Sequence, residues 1–468
     1  MSVAMYWSLM RAKLFRKFHL VSLGCSKNTV DSDSMAQVLG AAGYRACEKP
    51  GDADVLIVNT CGFIEPAREE SLGVLRGLAI DRKKNQLLIA AGCMSQRYGE
   101  EMREWVPELD GVIGTRRWMD IVDLVARLRQ RDGREPLYHL PEAARTVGTD
   151  EHGVSRVSRQ GGSAYLKIAD GCRRPCAFCA IPLIKGKAVS RPVDAIAAEA
   201  RLLEAEGVHE IILIAQDTTD YGHDLGQRDG LAHLLEAVTK AAPGIDWIRV
   251  MYAFPGCVSD RVIDTMASLP QVLPYLDIPL QHGHPDTLRR MRRPADVNWV
   301  RRTVEKMRLR MPDLAIRSTF IVGYPGETAA EFKTLLAFIK ELEFDRVGVF
   351  TYSYEPGTES ADLKDSVPQK LKDERRDRLM ELQQGISLRK NQGFVGKQMK
   401  VLIDGEGDGV SVGRSYRDAP EVDGLVIVDG KLPVGEMAEV RITGAAPYDL
   451  SATVLGGKQK LVGIRIRR

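Results

Sequence analysis

No run of apolar residues in this 468-residue chain approaches the roughly 18–20 that a bilayer span needs, which predicts a soluble protein. Neither a G-x-x-x-x-G-K-[ST] phosphate loop nor a G-x-G-x-x-G fingerprint occurs, which argues against ordinary nucleotide hydrolysis and dinucleotide redox chemistry. An excess of either charge is lacking as well. Against 66 Lys and Arg stand 63 Asp and Glu, so a balance of +3 gives no bulk attraction to nucleic acid. Aromatics are sparse at 6%, but 44% hydrophobic content still describes a globular chain and excludes disorder and collagen-like structure. There is no internal repeat and no low-complexity tract. Residues 1–18 carry Arg11, Lys13, Arg16 and Lys17 and no acid. Those charges follow the apolar stretch 3–10 rather than precede it, and no small-residue cleavage site appears, which argues against a secretory signal. A disordered extension is expected there.

What is present suggests three domains, at roughly 150 residues each. From 19 to 130, short apolar runs at 20–23, 55–58, 87–90 and 112–113 alternate with helical segments beginning near Asp31, Pro66, Gln96 and Trp118. Such alternation predicts a doubly wound parallel sheet with helices on both faces. The stretch 131–162, polar and rich in Gly and Ser, reads as a linker. A second α/β series fills 163–395, with strands expected at 165–168, 210–214, 247–251, 275–278, 315–321 and 347–351. Six strand–helix units predict a partial barrel rather than a closed eight-stranded one. A long amphipathic helix is expected over 370–390. From 396 to 468, β-branched runs at 399–403, 425–428, 438–442 and 451–455 alternate with Gly, Asp and Pro, which predicts a small antiparallel β-barrel.

Eight cysteines in a long chain without a signal suggest a reducing compartment, hence the cytoplasm, where thiols serve as ligands or catalysts more often than as disulfides. Cys172-Arg-Arg-Pro-Cys176-Ala-Phe-Cys179 directly follows the first strand of the second α/β series, where ligands collect. Three thiolates within eight residues leave a tetrahedral metal or a four-iron cluster one ligand short. An open position suits chemistry; zinc closed by a distant fourth ligand is the structural alternative. Cys25, Cys61 and Cys93 each follow a strand of the first series, so a parallel sheet would bring them to one edge. The flanking Gly24, Gly62 and Gly92 allow backbone to approach a bulky ligand. Three separate buried thiols are the alternative. Cys47 and Cys257 lack such placement and read as core or surface thiols.

Three further stretches are weaker. Gly323-Tyr-Pro-Gly326-Glu327 either lines a nucleoside pocket or is a plain strand-to-helix turn. Gln216 and Asp217 end a strand on the same rim and are candidates for a polar ligand contact. His282-Gly-His284 lacks a third metal ligand and reads as a loop leading into a helix.

The C-x3-C-x2-C run with Phe178 before its last cysteine resembles the signature of radical S-adenosylmethionine enzymes. Ser22-Leu-Gly-Cys25-Ser-Lys-Asn28, Asn59-Thr-Cys61-Gly-Phe-Ile64 and Gly92-Cys93-Met-Ser-Gln96-Arg97-Tyr98 resemble the three cysteine motifs of the methylthiotransferase family, and the C-terminal unit resembles a TRAM domain. The resemblance covers nearly all of 19–468; the basic extension before it is outside the family pattern. Ser26, where the family often has proline, is a departure. Ala177-Phe-Cys-Ala-Ile-Pro182, Gln216-Asp-Thr-Thr-Asp-Tyr-Gly222, Leu280-Gln-His-Gly-His284 and Arg414-Ser-Tyr-Arg-Asp-Ala-Pro-Glu421 are similar to the branch acting on an aspartate of ribosomal protein uS12. The other branch, acting on transfer-RNA adenosine, typically has Gln-Ser-Gly-Ser at 281–284.

The resemblance implies two 4Fe–4S clusters. Cys172, Cys176 and Cys179 would hold the one that cleaves S-adenosylmethionine to a 5′-deoxyadenosyl radical. Cys25, Cys61 and Cys93 would hold an auxiliary cluster that carries sulfur, with a second S-adenosylmethionine as methyl donor. Phe178, Gln216, Gly323 and Glu327 would border the S-adenosylmethionine pocket. Implied partners are uS12 or the small ribosomal subunit, a one-electron donor such as flavodoxin or ferredoxin, and a sulfur source. From 397 to 468, eleven Lys and Arg face ten Asp and Glu, too balanced for a domain tracking RNA phosphates. The loop holding Asp418, Glu421 and Asp423 is instead expected to meet basic uS12.

Overall fold

The computed structural model describes residues 16–131, 135–141 and 153–455. Most of the extension expected at 1–18, and parts of the expected linker, lie outside the described residues. The first sheet is wholly parallel: β1 (Lys17–Ser22), β2 (Arg45–Ala46), β3 (Val55–Thr60), β4 (Leu87–Gly92), β5 (Gly111–Gly114) and β6 (Leu137–His139), in the spatial order β2-β1-β3-β4-β5-β6. The order reverses between β1 and β3, the place where open α/β sheets bind ligands at their carboxyl edge. β3 is buried along its whole length, as a strand covered by helices on both faces must be. The sheet takes in three pieces not expected of it, of which the edge strand β2 is one. Lys17 and Phe18 open β1 because Phe18 is buried in the core, and β6 lies inside the stretch read as a linker.

β7 (Val157–Gln160), also within that stretch, pairs antiparallel with β8 (Ser163–Lys167) and starts the second domain. After β8 come the short β9 (Ala169–Asp170) and β10 (Val189–Ser190), which pair antiparallel and tie together the two ends of the cysteine loop between them. The remaining strands are β11 (Glu210–Ile214), β12 (Trp247–Val250), β13 (Tyr275–Asp277), β14 (Ala315–Val322) and β15 (Arg346–Thr351). β8, β11 and β12 form one parallel run, β13 to β15 another, and the parallel bridge Ile248↔Val272 joins them. The result is a partial barrel of six parallel strands. Its core is the largest apolar cluster, built from β-face residues such as Ile211, Leu213, Ile316 and Phe320 and from helix faces such as Leu335 and Ile339.

The helix Gln369–Gln392 leads into a closed five-stranded barrel of β16 (Gln398–Gly407), β17 (Val410–Arg414), β18 (Val426–Asp429), β19 (Met437–Ala445) and β20 (Leu450–Val454). One pair, β18 with β20, is parallel, so the barrel is not purely antiparallel.

Arginine–carboxylate pairs dock this barrel on the central domain. Arg414 meets Glu210 at 2.7 Å and Asp404 at 2.8 Å, Arg249 meets Glu210 at 2.7 Å, and Arg417 meets Asp345 at 3.0 Å. Asp418 pairs with Arg346, while Asp423 accepts from Tyr275 Oη at 2.6 Å and lies 3.3 Å from Arg317. Both carboxylates are buried, with side chains 1% exposed, so of the three acids expected to meet uS12 only Glu421 is exposed. The acidic loop faces inward because its charges neutralise arginines of the central domain.

Burial alone would raise the Glu210 carboxyl, but the Arg414 and Arg249 guanidiniums hold it down at about 2. The folded value lies below the ordinary 4.5, so its contribution is complete above that pH and is lost as pH falls toward 2. That contribution is on the order of 3 kcal/mol. Amide protection factors in β16–β20, which correct for the slower intrinsic exchange in acid, are therefore expected to fall over this window in the native protein. In Glu210→Gln protection should be low already at neutral pH, so the difference between the two proteins closes as pH falls.

Candidate metal centres

The first triad forms where β1, β3 and β4 end. Cys25 caps the helix Ser26–Ala41, with its carbonyl accepting from Asn28 N at 2.8 Å; Cys61 follows β3; Cys93 opens the helix Cys93–Tyr98. Two asparagines fix the three loops against one another. Asn28 Nδ2 donates to Leu23 O at 2.9 Å and Thr60 O at 3.0 Å, and its Oδ1 lies 3.5 Å from Cys93 Sγ. Asn59 Nδ2 donates to Asn28 O at 2.9 Å and Ser32 Oγ at 2.8 Å. Close backbone approach then decides two glycines. A Cβ on Gly24 (φ +91°) would lie 2.8 Å from Cys61 Cβ, and one on Gly92 (φ +99°) would run into Asn59 Oδ1 and, at 2.7 Å, Thr60 O. The thiols feel one another. Burial pushes Cys93 up to about 12, offset in part by the Lys185 ammonium and reinforced by Cys25 and Cys61.

The second triad occupies the loop closed by β9 and β10. Cys172 N donates to Gly186 O at 3.0 Å, Ala177 N to Met291 O at 3.0 Å and Cys179 N to Cys176 O at 3.1 Å. Arg293 Nη1 lies 3.5 Å from Cys176 Sγ. Burial raises Cys172 to about 11 and Cys179 to about 12. Phe178 packs with Met291, Tyr324 and Tyr352, walling one side of the loop. On the neighbouring rim, Phe254 is stacked between Arg174 (4.5 Å) and Arg293 (4.2 Å).

The triads meet. Cys93 packs directly on Ala180 and Ile184, the residues just beyond Cys179. Beside this contact lies a buried ionic cluster joining the two domains. Asp31 Oδ1 meets Arg156 Nη2 and Lys167 Nζ, each at 2.6 Å, and its Oδ2 meets Lys185 Nζ at 2.9 Å. Asp170 meets Lys167 at 2.8 Å and Lys185 at 3.4 Å. Three cations against two carboxylates leave one surplus positive charge next to Cys93. That surplus, together with two groups of three thiols in which burial raises Cys61, Cys93, Cys172 and Cys179, suits soft thiolate-ligated iron, because metal binding itself supplies the deprotonation.

The other expected residues have plainer positions. Gln216 Nε2 donates to Asp170 Oδ1 at 3.1 Å, and its Oε1 is buried without a partner. Asp217 pairs with Arg174 at 2.6 Å. Glu327 accepts from Gly323 N and pairs with Arg375 at 3.5 Å, so Gly323 and Glu327 close one turn between β14 and the helix Ala329–Leu342. His284 caps the helix Pro285–Arg290, accepting from Asp286 N at 3.2 Å, and the His282 ring is buried against Glu327. Cys47 donates to Phe18 O at 3.4 Å, remote from both triads. Asn28, Asn59, Asp31 and Arg293 were not singled out from sequence. The signal for Asn28 and Asp31 is a helix whose opening turns bury Lys27, Asn28, Asp31 and Ser32, a polar stretch directly after a cysteine that only Val30 interrupts.

Family profiles match all three parts: the uncharacterized protein family UPF0004 over 17–114, the radical SAM superfamily over 166–339 and the TRAM domain over 395–455. A structure of the radical S-adenosylmethionine methyltransferase TsrM from Kitasatospora setae, with cobalamin and a 4Fe–4S cluster bound, shares the fold. Its TM-score is 0.53 at 12% identity, covering 85% of this chain and 81% of that one. Fold and thiol placement thus define a radical S-adenosylmethionine protein flanked by UPF0004 and TRAM domains. Among curated relatives, the ribosomal protein uS12 methylthiotransferase RimO of Chloroflexus aurantiacus is 49% identical over 93% of this chain and 98% of its own length. That of a Roseiflexus species is 48% identical over 93% and 96%, and that of Symbiobacterium thermophilum 43% over 93% and 90%. The chain belongs to the RimO family of ribosomal protein uS12 methylthiotransferases.

Proposed function

We propose that this protein places a methylthio group on the β-carbon of an aspartate in ribosomal protein uS12, giving 3-methylthioaspartate. The observation that supports the reading is the packing of Cys93, from one domain, on Ala180, the residue after Cys179 in the other. Adding sulfur to an unactivated sp3 carbon requires breaking a C–H bond that no side-chain base can ionise, so cofactor chemistry is needed. Cys172, Cys176 and Cys179 would hold a 4Fe–4S cluster together with S-adenosylmethionine, and Cys25, Cys61 and Cys93 a second such cluster. When bound, the first group supplies a carbon-centred radical and the second supplies sulfur, methylated from a second S-adenosylmethionine.

The chain's own residues orient and shield. Asn28 and Asn59 lock three loops so that their thiols share one face. Arg293 sets a positive charge beside Cys176. Phe178 and its apolar neighbours exclude water from the radical site. The unpaired Gln216 Oε1 offers a buried acceptor on the rim. Electrons would come from a donor such as flavodoxin or ferredoxin, and sulfur from an outside source. No helix among the described residues is long and apolar enough to cross a membrane, and uS12, free or in the small subunit, is met from the surrounding solution.

Reconstituted protein incubated separately with uS12 and with transfer RNA, under reducing conditions with S-adenosylmethionine, is expected to add a methylthio mass to one uS12 aspartate and leave the RNA unchanged. Modification of RNA alone would overturn the assignment.

A further inference from the structure

Four lysines are buried among the described residues. Three have a carboxylate: Lys167 and Lys185 meet Asp31, and Lys372 meets Asp365 at 2.5 Å. The fourth, Lys27, is 8% exposed and has none. Its Nζ instead lies 3.0 Å from the ring centroid of Tyr252. In this nearly buried side chain the ammonium faces an aromatic ring and no carboxylate, and the ring quadrupole returns less than an ion pair would, which leaves the charge open to an anion.

The position of this ammonium gives it meaning. Lys27 stands two residues beyond Cys25, in the first triad. Tyr252 stands two residues before Phe254, which stacks on Arg174 and Arg293 beside the second triad. The charge therefore bridges the two loops that border the meeting of the triads. Tyr252 is held there at a cost: its φ is +63°, left-handed for a residue with a bulky side chain. Its N–H donates to Asp277 Oδ2 at 3.0 Å and its carbonyl accepts from Thr218 N at 3.1 Å, which pins the strained conformation. Strain retained to hold a ring under an unpaired ammonium is the signature of a site shaped for a ligand anion.

We propose that Lys27 binds the side-chain carboxylate of the target aspartate, positioned over Tyr252 so that the β-carbon is presented between the two centres. This rests on the uS12 reading above. A carboxylate is the shared chemistry of two molecules at this site, the target side chain and S-adenosylmethionine. Lys27 is assigned to the former because it belongs to the Cys25 loop, on the sulfur-delivering side, and not to the Cys172 loop.

The test measures equilibrium affinity of the full reconstituted protein for uS12, in its natural form and with the modified aspartate, located by mass in the wild-type reaction, changed to asparagine. Wild-type protein is expected to bind the asparagine form about 10–100-fold more weakly, the value of one charge-assisted contact. Lys27→Met, which keeps an apolar stem over Tyr252, is expected to bind both forms alike, within about twofold, at the weaker level. Lys27→Arg is expected to restore most of the discrimination. S-adenosylmethionine affinity is measured alongside. Equal binding of both uS12 forms by wild-type protein would overturn the proposal without recourse to any variant. So would a Lys27→Met variant that still discriminates, or one whose loss falls on S-adenosylmethionine instead. A wild-type protein that modifies no uS12 residue fails the functional reading itself, a distinct result.

Discussion

Alanine at Cys172, Cys176 or Cys179 is expected to reduce both 5′-deoxyadenosine formation and uS12 methylthiolation to background. Alanine at Cys25, Cys61 or Cys93 is expected to abolish methylthiolation while 5′-deoxyadenosine still forms. The asymmetry follows from architecture. One triad belongs to a single loop of the partial barrel, closed by the β9–β10 pair, and the other is assembled from three strand ends of a different domain. Either triad can therefore be altered without dismantling the other. Either set should lower bound iron by about four per chain, the content of one cluster. Fold loss does not confuse the result. Cys25 is exposed, and truncating a buried thiol such as Cys93 removes one small apolar group, roughly 1 kcal/mol of burial. Iron analysis, product chromatography and uS12 mass on the six variants check the scheme. Methylthiolation surviving in Cys61→Ala, or zinc without iron in the wild-type protein, would remove the second centre from the account.

Which parts of this arrangement were legible beforehand depends on whether the information is local. The C-x3-C-x2-C loop is local, and the three distant cysteines could be joined because each follows an apolar run that reads as a parallel strand. The helix expected over 370–390 was equally plain, a long charged run without proline that forms Gln369–Gln392. Pairing across domains was not legible. Asp418 and Asp423 look like a solvated acidic loop until Arg346, Arg317 and Tyr275, all more than seventy positions away, are brought to them. Charge sign is written in sequence; the partner that neutralises it is a tertiary fact. β17 went unread for a related reason. Val-Ser-Val-Gly-Arg alternates too briefly to stand out, and its last residue is fixed by an ion pair with Glu210 rather than by strand propensity. The helix Ser26–Ala41 inverts the usual rule, burying polar residues in its opening turns because that face meets thiols and a charged neighbour domain, not an apolar core.

That buried face leads to the second large effect: Asp31→Ala is expected to cost about 3–5 kcal/mol of stability. Asp31 is the one residue of the first domain in the ionic cluster, and its carboxylate makes the short contacts to Arg156, Lys167 and Lys185, all 2% exposed or less. Forming such a cluster returns little net free energy, because desolvation consumes most of the Coulomb gain; removing the central anion is different, since three buried cations then share only Asp170. Burial would raise the Asp31 carboxyl, but Lys167 and Lys185 hold it below its ordinary 3.8, so the contribution is present at neutral pH and is lost only as pH falls below that value. Chemical denaturation of Asp31→Ala at neutral pH reads the cost. Adding Lys185→Met should recover part of it by removing one orphaned ammonium, a coupling that a double-mutant cycle isolates. Function should suffer beyond stability. The helix bearing Asp31 begins at Cys25, so loosening the cluster shifts the first triad relative to the second. At a temperature where the variant remains folded, 5′-deoxyadenosine formed per methylthiolated uS12 should therefore rise, as radicals are made with no sulfur in register to meet them. An unchanged ratio would mean that the Cys93–Ala180 contact holds the two domains by itself.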